Sequence, residues 1–185
     1  MAFSIGKLDF EPAVNFPGLL AAPVLAALTG PDWPLPADAV GVTEIDPELA
    51  DTTAFCERYD VALAESANCV VVSGRREGET RFAACVVLAT TRADVNNVAR
   101  RALDVRKASF APTDVAVAQT QMEHGGITPI GLPASWAVLV DDLVAKTPSV
   151  VIGAGIRGAK LWLPGSLLAE LPGAEILPGL GVEAG

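Results

Sequence analysis

One ten-residue segment, His124 to Pro133, restricts the backbone more than any other part of the chain. It contains three glycines, two prolines and the single histidine of the sequence. Glycine lets main-chain amides approach a ligand closely, and proline holds φ at about −65°. We therefore expect a loop of fixed shape that binds a small polar group through its backbone.

Length and composition favour one globular domain. A chain of 185 residues with 51% hydrophobic residues can bury a substantial core, which excludes a disordered chain. The apolar run from Leu19 to Leu28 is interrupted by Pro23 and is too short to span a bilayer. Asp9 and Glu11 precede it, unlike the basic start of a signal peptide. We expect a cytoplasmic protein with no membrane partner.

The three cysteines do not indicate a metal site. Cys56, Cys69 and Cys85 are widely spaced in apolar segments, and no Cys-x-x-Cys pair occurs. A zinc site would need clustered cysteine and histidine ligands, which one histidine cannot supply. We interpret the thiols as core residues and expect neither a metal nor a cofactor.

Charge is distributed unevenly along the chain, although the net charge is −9. Residues 66–107 carry eight of the thirteen Lys and Arg residues, including Arg100 and Arg101. Such a cluster is typical either of a local surface that binds phosphates or of an ordinary solvated helix and hairpin. Both interpretations remain open from charge alone.

Hydrophobic patterning predicts an α+β fold, a single domain with a mixed, largely antiparallel central sheet and surrounding helices. Residues 1–38 are expected to form an N-terminal strand and a proline-rich arm, and residues 39–185 the main domain. The segments next to the loop at residues 124–133 and next to a second glycine-rich loop, residues 153–158, are expected to share one sheet. The predicted strands are 3–10, 39–45, 68–74, 80–89, 136–140, 149–152, 160–163 and 175–177, and the predicted helices are 24–28, 51–59, a helix capped by Asp94, 112–119 and 166–171.

Two short motifs fail on their context. Gly153 to Gly158 matches Gly-x-Gly-x-x-Gly, but a strand follows it where a dinucleotide-binding turn must open a helix. The Gly-x-Ser-x-Gly elbow of serine hydrolases is absent from the sequence. The glycines of residues 153–158 instead suggest a second wall of a pocket, opposite the loop at His124.

Four segments together carry a family resemblance: His124 to Leu132, Ala137 to Asp141, Gly153 to Gly158, and Leu161 to Leu163 with the final helix. In order and spacing they resemble the C-terminal half of the YbaK-type aminoacyl-tRNA deacylases. These are also the editing domains associated with prolyl-tRNA synthetase. The similarity covers about residues 45–178. It implies an α+β fold, hydrolysis of the ester that joins a wrong amino acid to tRNA, and tRNA rather than DNA as the partner.

The resemblance also implies a set of binding residues. In that family the backbone of a Gly-x-x-x-Pro loop lines the aminoacyl pocket, and Gly125 to Pro129 matches it. The expected substrate-binding residues are His124, Gly125, Gly126, Ile127, Thr128, Pro129, Gly153, Gly155 and Arg157. Arg100 and Arg101 are the expected contacts to the tRNA acceptor stem.

Three of these residues have ordinary alternatives. For His124 the alternatives are contact with the terminal adenosine, proton transfer, or no function at all. Arg157 binds a phosphate or forms a surface ion pair. Thr128 limits the size of the pocket or caps a turn.

One position departs from the family pattern. Members use a lysine near the start of a central strand, and the resemblance aligns Asn68 with it. An asparagine offers a neutral amide with a donor and an acceptor, whereas a lysine offers a positive charge. Asn68 is therefore the candidate catalytic residue, able to hold the carbonyl or the α-amino group without the electrostatic contribution of lysine.

Three hypotheses follow. The first is a stand-alone editing hydrolase in which backbone amides stabilise the oxyanion and a hydroxyl of the terminal ribose orients the water, as the resemblance implies. The second is a non-catalytic module that binds an aminoacyl group, an amino acid, tRNA or a protein. The third is a small-molecule hydrolase that uses Cys69 or His124.

Overall fold

A computed structural model describes residues 3–183, with the side chain of Ala37 left out. The strands are β1 Phe3–Ile5, β2 Leu8–Pro12, β3 Gly41–Glu44, β4 Ala67–Arg76, β5 Glu79–Leu88, β6 Thr91–Ala93, β7 Ala108–Phe110, β8 Ala137–Asp141, β9 Val150–Gly153, β10 Ala159–Leu163, β11 Ala174–Leu177 and β12 Gly181–Glu183. The α-helices are α1 Ala22–Leu28, α2 Thr52–Tyr59, α3 Arg100–Ala102, α4 Thr113–Thr120 and α5 Asp142–Lys146. A π-turn, Val95–Ala99, precedes α3, and 3-10 turns cover Ala13–Asn15, Pro17–Leu19, Ala37–Ala39, Pro47–Leu49, Leu63–Glu65 and Gly165–Glu170.

The strands form two five-stranded sheets and one short ribbon. The first sheet, β1-β2-β3-β10-β9, is antiparallel throughout. The second, β11-β8-β5-β4-β7, is parallel at β11–β8 and β8–β5 and antiparallel elsewhere. The ribbon pairs β12 with β6. The α+β class with a mixed, largely antiparallel sheet is confirmed.

The main core lies between the two sheets. Val42, Ile152 and Leu161 of the first sheet pack with Val86 and Val140 of the second in one buried cluster. The strands next to the two glycine-rich loops therefore belong to different sheets, and the expectation that they share one sheet is wrong. Apolar faces on both sets of strands require a partner layer, so the sheets stack on one another.

The N-terminal strand predicted over residues 3–10 is a hairpin, because it turns at Gly6. This glycine has φ +57°, and a side chain there would collide with the main chain of Asp60. The next residue, Lys7, donates its N–H to the carbonyl of Tyr59 at 2.8 Å. The turn thus joins the hairpin to the end of α2.

The proline-rich arm is part of the main structure. Val24 and Leu28 of α1 are buried in the main core, and Ala21 N–H donates to the carbonyl of Ala154 at 3.1 Å. The first sheet continues across residue 38, because β2 pairs with β3. The arm therefore packs against the second glycine-rich loop, residues 153–158, and donates a hydrogen bond to it.

The predicted helix after Asp94 begins as the π-turn and ends as α3. The Asp94 side chain accepts the N–H of Asn97 at 3.1 Å, as an N-cap does. Val95 and Ala99 pack against one face of the second sheet, beside Cys85. Within residues 3–183, no helix has the length and apolar character to cross a membrane.

Candidate functional site

A cavity of about 450 Å³ lies where the two sheets separate. Its walls come from the start of α2, the start of β4, the segment of β7 and α4, the glycine loop at His124, and the strands β9 and β10. The lining residues are Ala50, Asp51, Thr52, Ala67, Asn68, Cys69, Val70, Val71, Phe110, Ala111, Thr113, Ala116, His124, Gly125, Ile127, Gly153 and Lys160. The cavity therefore combines main-chain walls with a few polar side chains.

Within residues 3–183, the start of β4 presents to this cavity an edge that no strand pairs with. β7 pairs only with Val72 to Gly74, and β9 meets this region at a single bridge between Ser66 and Val151. Val71 accepts the N–H of Ala111 at 2.9 Å, so its carbonyl points toward the β7 edge. Main-chain groups two residues apart on a strand point the same way, so those of Cys69 face the open edge.

The two glycine-rich loops are joined through their backbones. Gly155 N–H donates to the Gly126 carbonyl, and Glu123 N–H donates to the Gly155 carbonyl, each at 2.8 Å. A Cβ on Gly126 would lie 2.6 Å from the Ile156 carbonyl carbon, and a Cβ on Gly153 would meet the Gly126 carbonyl. Only glycine permits this approach, which forms one wall of the cavity.

Arg157 anchors the glycine loop to the turn before α2. Its Nε donates to the carbonyl of Pro47 at 3.1 Å, and one terminal nitrogen donates to the carbonyl of His124 at 3.2 Å. The same nitrogen lies 3.6 Å from Asp51, and the Arg157 main-chain N–H donates to Glu123 at 2.7 Å. The guanidinium is thus held by protein acceptors, which favours a positioning role over phosphate binding.

The predicted site residues fall into three groups. Asn68, His124, Gly125, Ile127 and Gly153 line the cavity. The residues that form the layer behind its wall are Gly126, Thr128, Pro129, Gly155 and Arg157. Arg100 and Arg101 follow the π-turn, which packs on the face of the second sheet opposite to α4. Their contact with tRNA stays a prediction.

Two residues of the layer behind the wall have distinct surroundings. Thr128 is fully buried, and its Oγ1 has no hydrogen-bond partner among the described residues. Pro129 lines a second, more apolar cavity of about 370 Å³ beside Trp33. Neither residue reaches the first cavity.

The Asn68 side chain is held in place at the cavity wall. Its Oδ1 accepts the hydroxyl proton of Thr52 at 2.6 Å. Thr52 is the first residue of α2, so the bond ties β4 to the start of that helix. The amide of Asn68 is therefore oriented before any ligand binds.

Lys160 is a charged cavity residue that was not among the sequence candidates. It lies on β10 with 9% of its surface exposed, and its Nζ donates to the carbonyl of Ala50 at 3.0 Å. The ammonium also lies 4.9 Å from the centre of the Phe55 ring. Burial lowers the pKa of Lys160 to about 8. The available signal was a charged residue within the apolar run Ala159 to Leu163.

Burial shifts the pKa values of the three cysteines upward, whereas it lowers that of Lys160. Burial raises the pKa of Cys69 far above its ordinary value and that of Cys85 to about 12, and the pKa of Cys56 is raised for the same reason. Protonated thiols are poor nucleophiles at neutral pH. In residues 3–183 no three His, Cys, Asp or Glu side chains converge as metal ligands would.

A basic surface lies beyond the cavity, next to β4 and to the segment that leads into β7. We define it by Arg75, Arg106 and Lys107, which are exposed around a groove on β4 and β7. The neighbouring Arg76 and Arg81 are instead paired with Asp104, at 2.7 and 3.1 Å. Between the cavity and the basic surface is Phe110, which is 63% exposed and also lines the cavity.

Comparison with known proteins agrees with this geometry. The profile of the aminoacyl-tRNA editing domain matches residues 46–171, which include the cavity-lining residues. The chain therefore belongs to the aminoacyl-tRNA editing domain family.

Solved structures share the fold at low sequence identity. A proposed trans-editing enzyme for prolyl-tRNA synthetase is 18% identical with TM-score 0.71, covering 89% of this chain and 97% of the other. A structure from computational design of epitope-presenting scaffold proteins is 19% identical with TM-score 0.69 and the same coverage. A hypothetical protein is 20% identical with TM-score 0.65, covering 74% of this chain and 88% of the other. At these identities the likeness establishes the fold alone.

Proposed function

We propose that this protein hydrolyses, in trans, the ester bond between a wrong amino acid and the 3′ end of a tRNA. The observation that carries the proposal is the wall formed by His124, Gly125 and Ile127, which borders a cavity in an aminoacyl-tRNA editing domain and has bare main chain at Gly125. Glycine at 125, and at 153 on the neighbouring strand β9, leaves main chain without a side chain at these two lining positions. Such a site suits the small polar end of an aminoacyl ester.

The walls offer a partner for each polar group of that ester. Amides of Gly125 and Ile127 suit the carbonyl oxygen, where fixed dipoles stabilise developing negative charge. The main-chain carbonyl of Cys69, on the open edge of β4, suits the α-amino group. A ribose hydroxyl next to the ester orients the attacking water.

The reaction balances without a protein nucleophile. The water oxygen bonds to the acyl carbon, and the bond from that carbon to the ribose oxygen breaks. One water proton passes to the ribose oxygen, and the other leaves as the carboxylic acid ionises. The products are free tRNA and an amino acid, made where translation occurs in the cytoplasm.

Phe110 and the basic surface provide a path for the single-stranded 3′ end. An exposed aromatic ring is a stacking platform for a base, and the nearby Arg75, Arg106 and Lys107 suit phosphates. Val71 at the cavity and Arg75 are four residues apart on β4, which is about 13 Å of strand. Arg75 is therefore at about the distance from the cavity at which the phosphates of the last few nucleotides would lie.

Deacylation assays test the proposal directly. The likeness to a trans-editing enzyme for prolyl-tRNA synthetase makes tRNA for proline, charged with glycine, alanine, serine, cysteine or threonine, the first panel. We expect release of at least one of these amino acids, and Asn68→Lys tests whether a second lysine changes the rate. Saturable binding of aminoacyl-tRNA without release would refute hydrolysis and support the binding module.

A further inference from the structure

Lys160 is a buried charge with little compensation from the protein. It is the only Lys or Arg among the buried residues of the described chain, 3–183. Buried Asp141 accepts two main-chain N–H groups, from Leu143 at 3.0 Å and from Gly181 at 2.7 Å. Among the described residues, Lys160 has one hydrogen-bond acceptor, the carbonyl of Ala50, and its ammonium also lies over the face of the Phe55 ring. A buried charge with so few partners is costly unless a ligand completes its surroundings.

No carboxylate of the described residues is paired with this ammonium. The nearest acidic group on the neighbouring turn, Asp51, is exposed and forms its ion pair with Arg157. An ammonium has three donors. With one donor used by Ala50, the cavity side of Lys160 suits an oxygen that carries or develops negative charge.

The register of the first sheet aligns this charge with the glycine loop. Lys160 pairs with Gly153 across β10 and β9, and Gly153 packs against the carbonyl of Gly126. Because Gly153 has no side chain, nothing from this position separates the lysine from the cavity. Lys160, Gly125 and Ile127 thus border the same cavity from adjacent walls.

We propose that Lys160 is a catalytic residue that binds the carbonyl oxygen of the ester and stabilises the oxyanion formed when water attacks. This rests on the proposed function. The ammonium donates a hydrogen bond and keeps its proton throughout, so it adds no atom to the balanced reaction. Asn68, held by Thr52, then orients the substrate rather than supplying charge.

The test compares Lys160→Met with a matched surface change, Lys146→Met. Lys146 is largely exposed and pairs with Asp142 on its own helix. Removing one oxyanion donor lowers kcat by roughly 100-fold to 1000-fold, so we expect Lys160→Met to lose at least about 100-fold in kcat on a tRNA that the wild type hydrolyses. Lys146→Met should keep the wild-type rate.

A charge-specific readout separates catalysis from packing. In Lys160→Ala, added n-propylammonium should restore part of the activity, whereas n-propanol at the same concentration should not. Wild-type activity should also fall above a pH of about 8, where the lysine loses its proton. Loss of that alkaline limb in Lys160→Met would agree with the proposal.

Each outcome distinguishes the two proposals. Hydrolysis by the wild type with an unchanged kcat in Lys160→Met would overturn the role of Lys160 and leave editing in place. Equal rescue by propylammonium and propanol would also overturn it, because it would show that volume alone matters. No hydrolysis by the wild type across the panel would overturn both the proposed function and the role that rests on it.

Discussion

Replacement of Gly126 by alanine should disrupt the packing between the two glycine-rich loops. A Cβ at this position would lie 2.6 Å from the Ile156 carbonyl carbon and 2.7 Å from its oxygen, whereas ordinary contact begins at 3.4 Å. The loops must therefore move apart by about 0.8 Å. Because both contacts are main-chain atoms, no side chain can rotate to make room.

The expected effect on stability follows from two opposing contributions. Overpacking costs about 1–3 kcal/mol, and the stiffer unfolded chain of an alanine variant returns about 0.4–1 kcal/mol. The free energy of unfolding of Gly126→Ala should fall by about 1–2 kcal/mol. For a chain of this size that lowers Tm by roughly 2–8 °C.

Gly126→Ala should also lower the rate of deacylation, by more than the loss of folded protein would explain. The displaced wall carries the amides that would face the ester carbonyl, and a misplacement of about 1 Å can cost on the order of 100-fold in rate. Chemical denaturation and deacylation kinetics measure the two effects separately. The expected kcat/KM of Gly126→Ala is about 10-fold to 100-fold below that of the wild type.

Gly158→Ala is the matched control in the same pair of loops. A Cβ there would meet nothing within 4 Å, and its φ is not positive. We expect wild-type activity and unchanged or slightly raised stability. If Gly126→Ala were as stable and active as Gly158→Ala, the packing of the two loops would not shape the cavity, and the reasoning would be refuted.

Three further variants test the site. Lys160→Met should remove a pH dependence of the free energy of unfolding. The pKa of Lys160 is about 8 in the folded protein and 10.5 in the unfolded chain, so the unfolded chain binds more protons between these two values. In denaturation assays, wild-type stability should therefore rise with pH across this interval by about 3 kcal/mol relative to the variant. Arg157→Met should lower the free energy of unfolding by about 1–2 kcal/mol through two lost hydrogen bonds and should raise KM, whereas Arg58→Met, at an exposed position, should do neither. Phe110→Ala should weaken binding of a short single-stranded RNA ending in the tRNA 3′ sequence by about 10-fold in fluorescence anisotropy, with Phe16→Ala, also exposed, as control, and equal affinities would contradict the stacking platform.

Local patterns predicted the elements with strong signals. The β-rich runs 68–74 and 80–89, joined by residues 75–79, predicted strands that pair as the β4–β5 hairpin, and Asp94 acts as the predicted cap. The π-turn and the 3-10 turn Gly165–Glu170 were expected as ordinary helices. Their apolar spacing resembles that of an α-helix, and only packing decides how tightly the backbone winds.

Short strands and long-range pairings could not be predicted in the same way. β6, β7 and β12 have three residues each, too few to show a period. The division into two sheets depends on which strands pair, and an isolated bridge links Ser66, just before β4, to Val151 of β9. No local signal reports such a bridge.

The α+β class, the shape-restricted loop from His124 to Pro133 and the family resemblance could be predicted from local patterns, because hydrophobic periodicity, glycine and proline act on the backbone where they stand. The assembled fold sets which residues face the cavity. It places Arg157 among protein acceptors, and it brings Lys160 and Asn68 to one cavity although 92 positions separate them in the chain. Burial of a charge is a property of the folded surroundings, so a lysine within an apolar strand becomes a candidate catalytic residue only when the sheets are assembled.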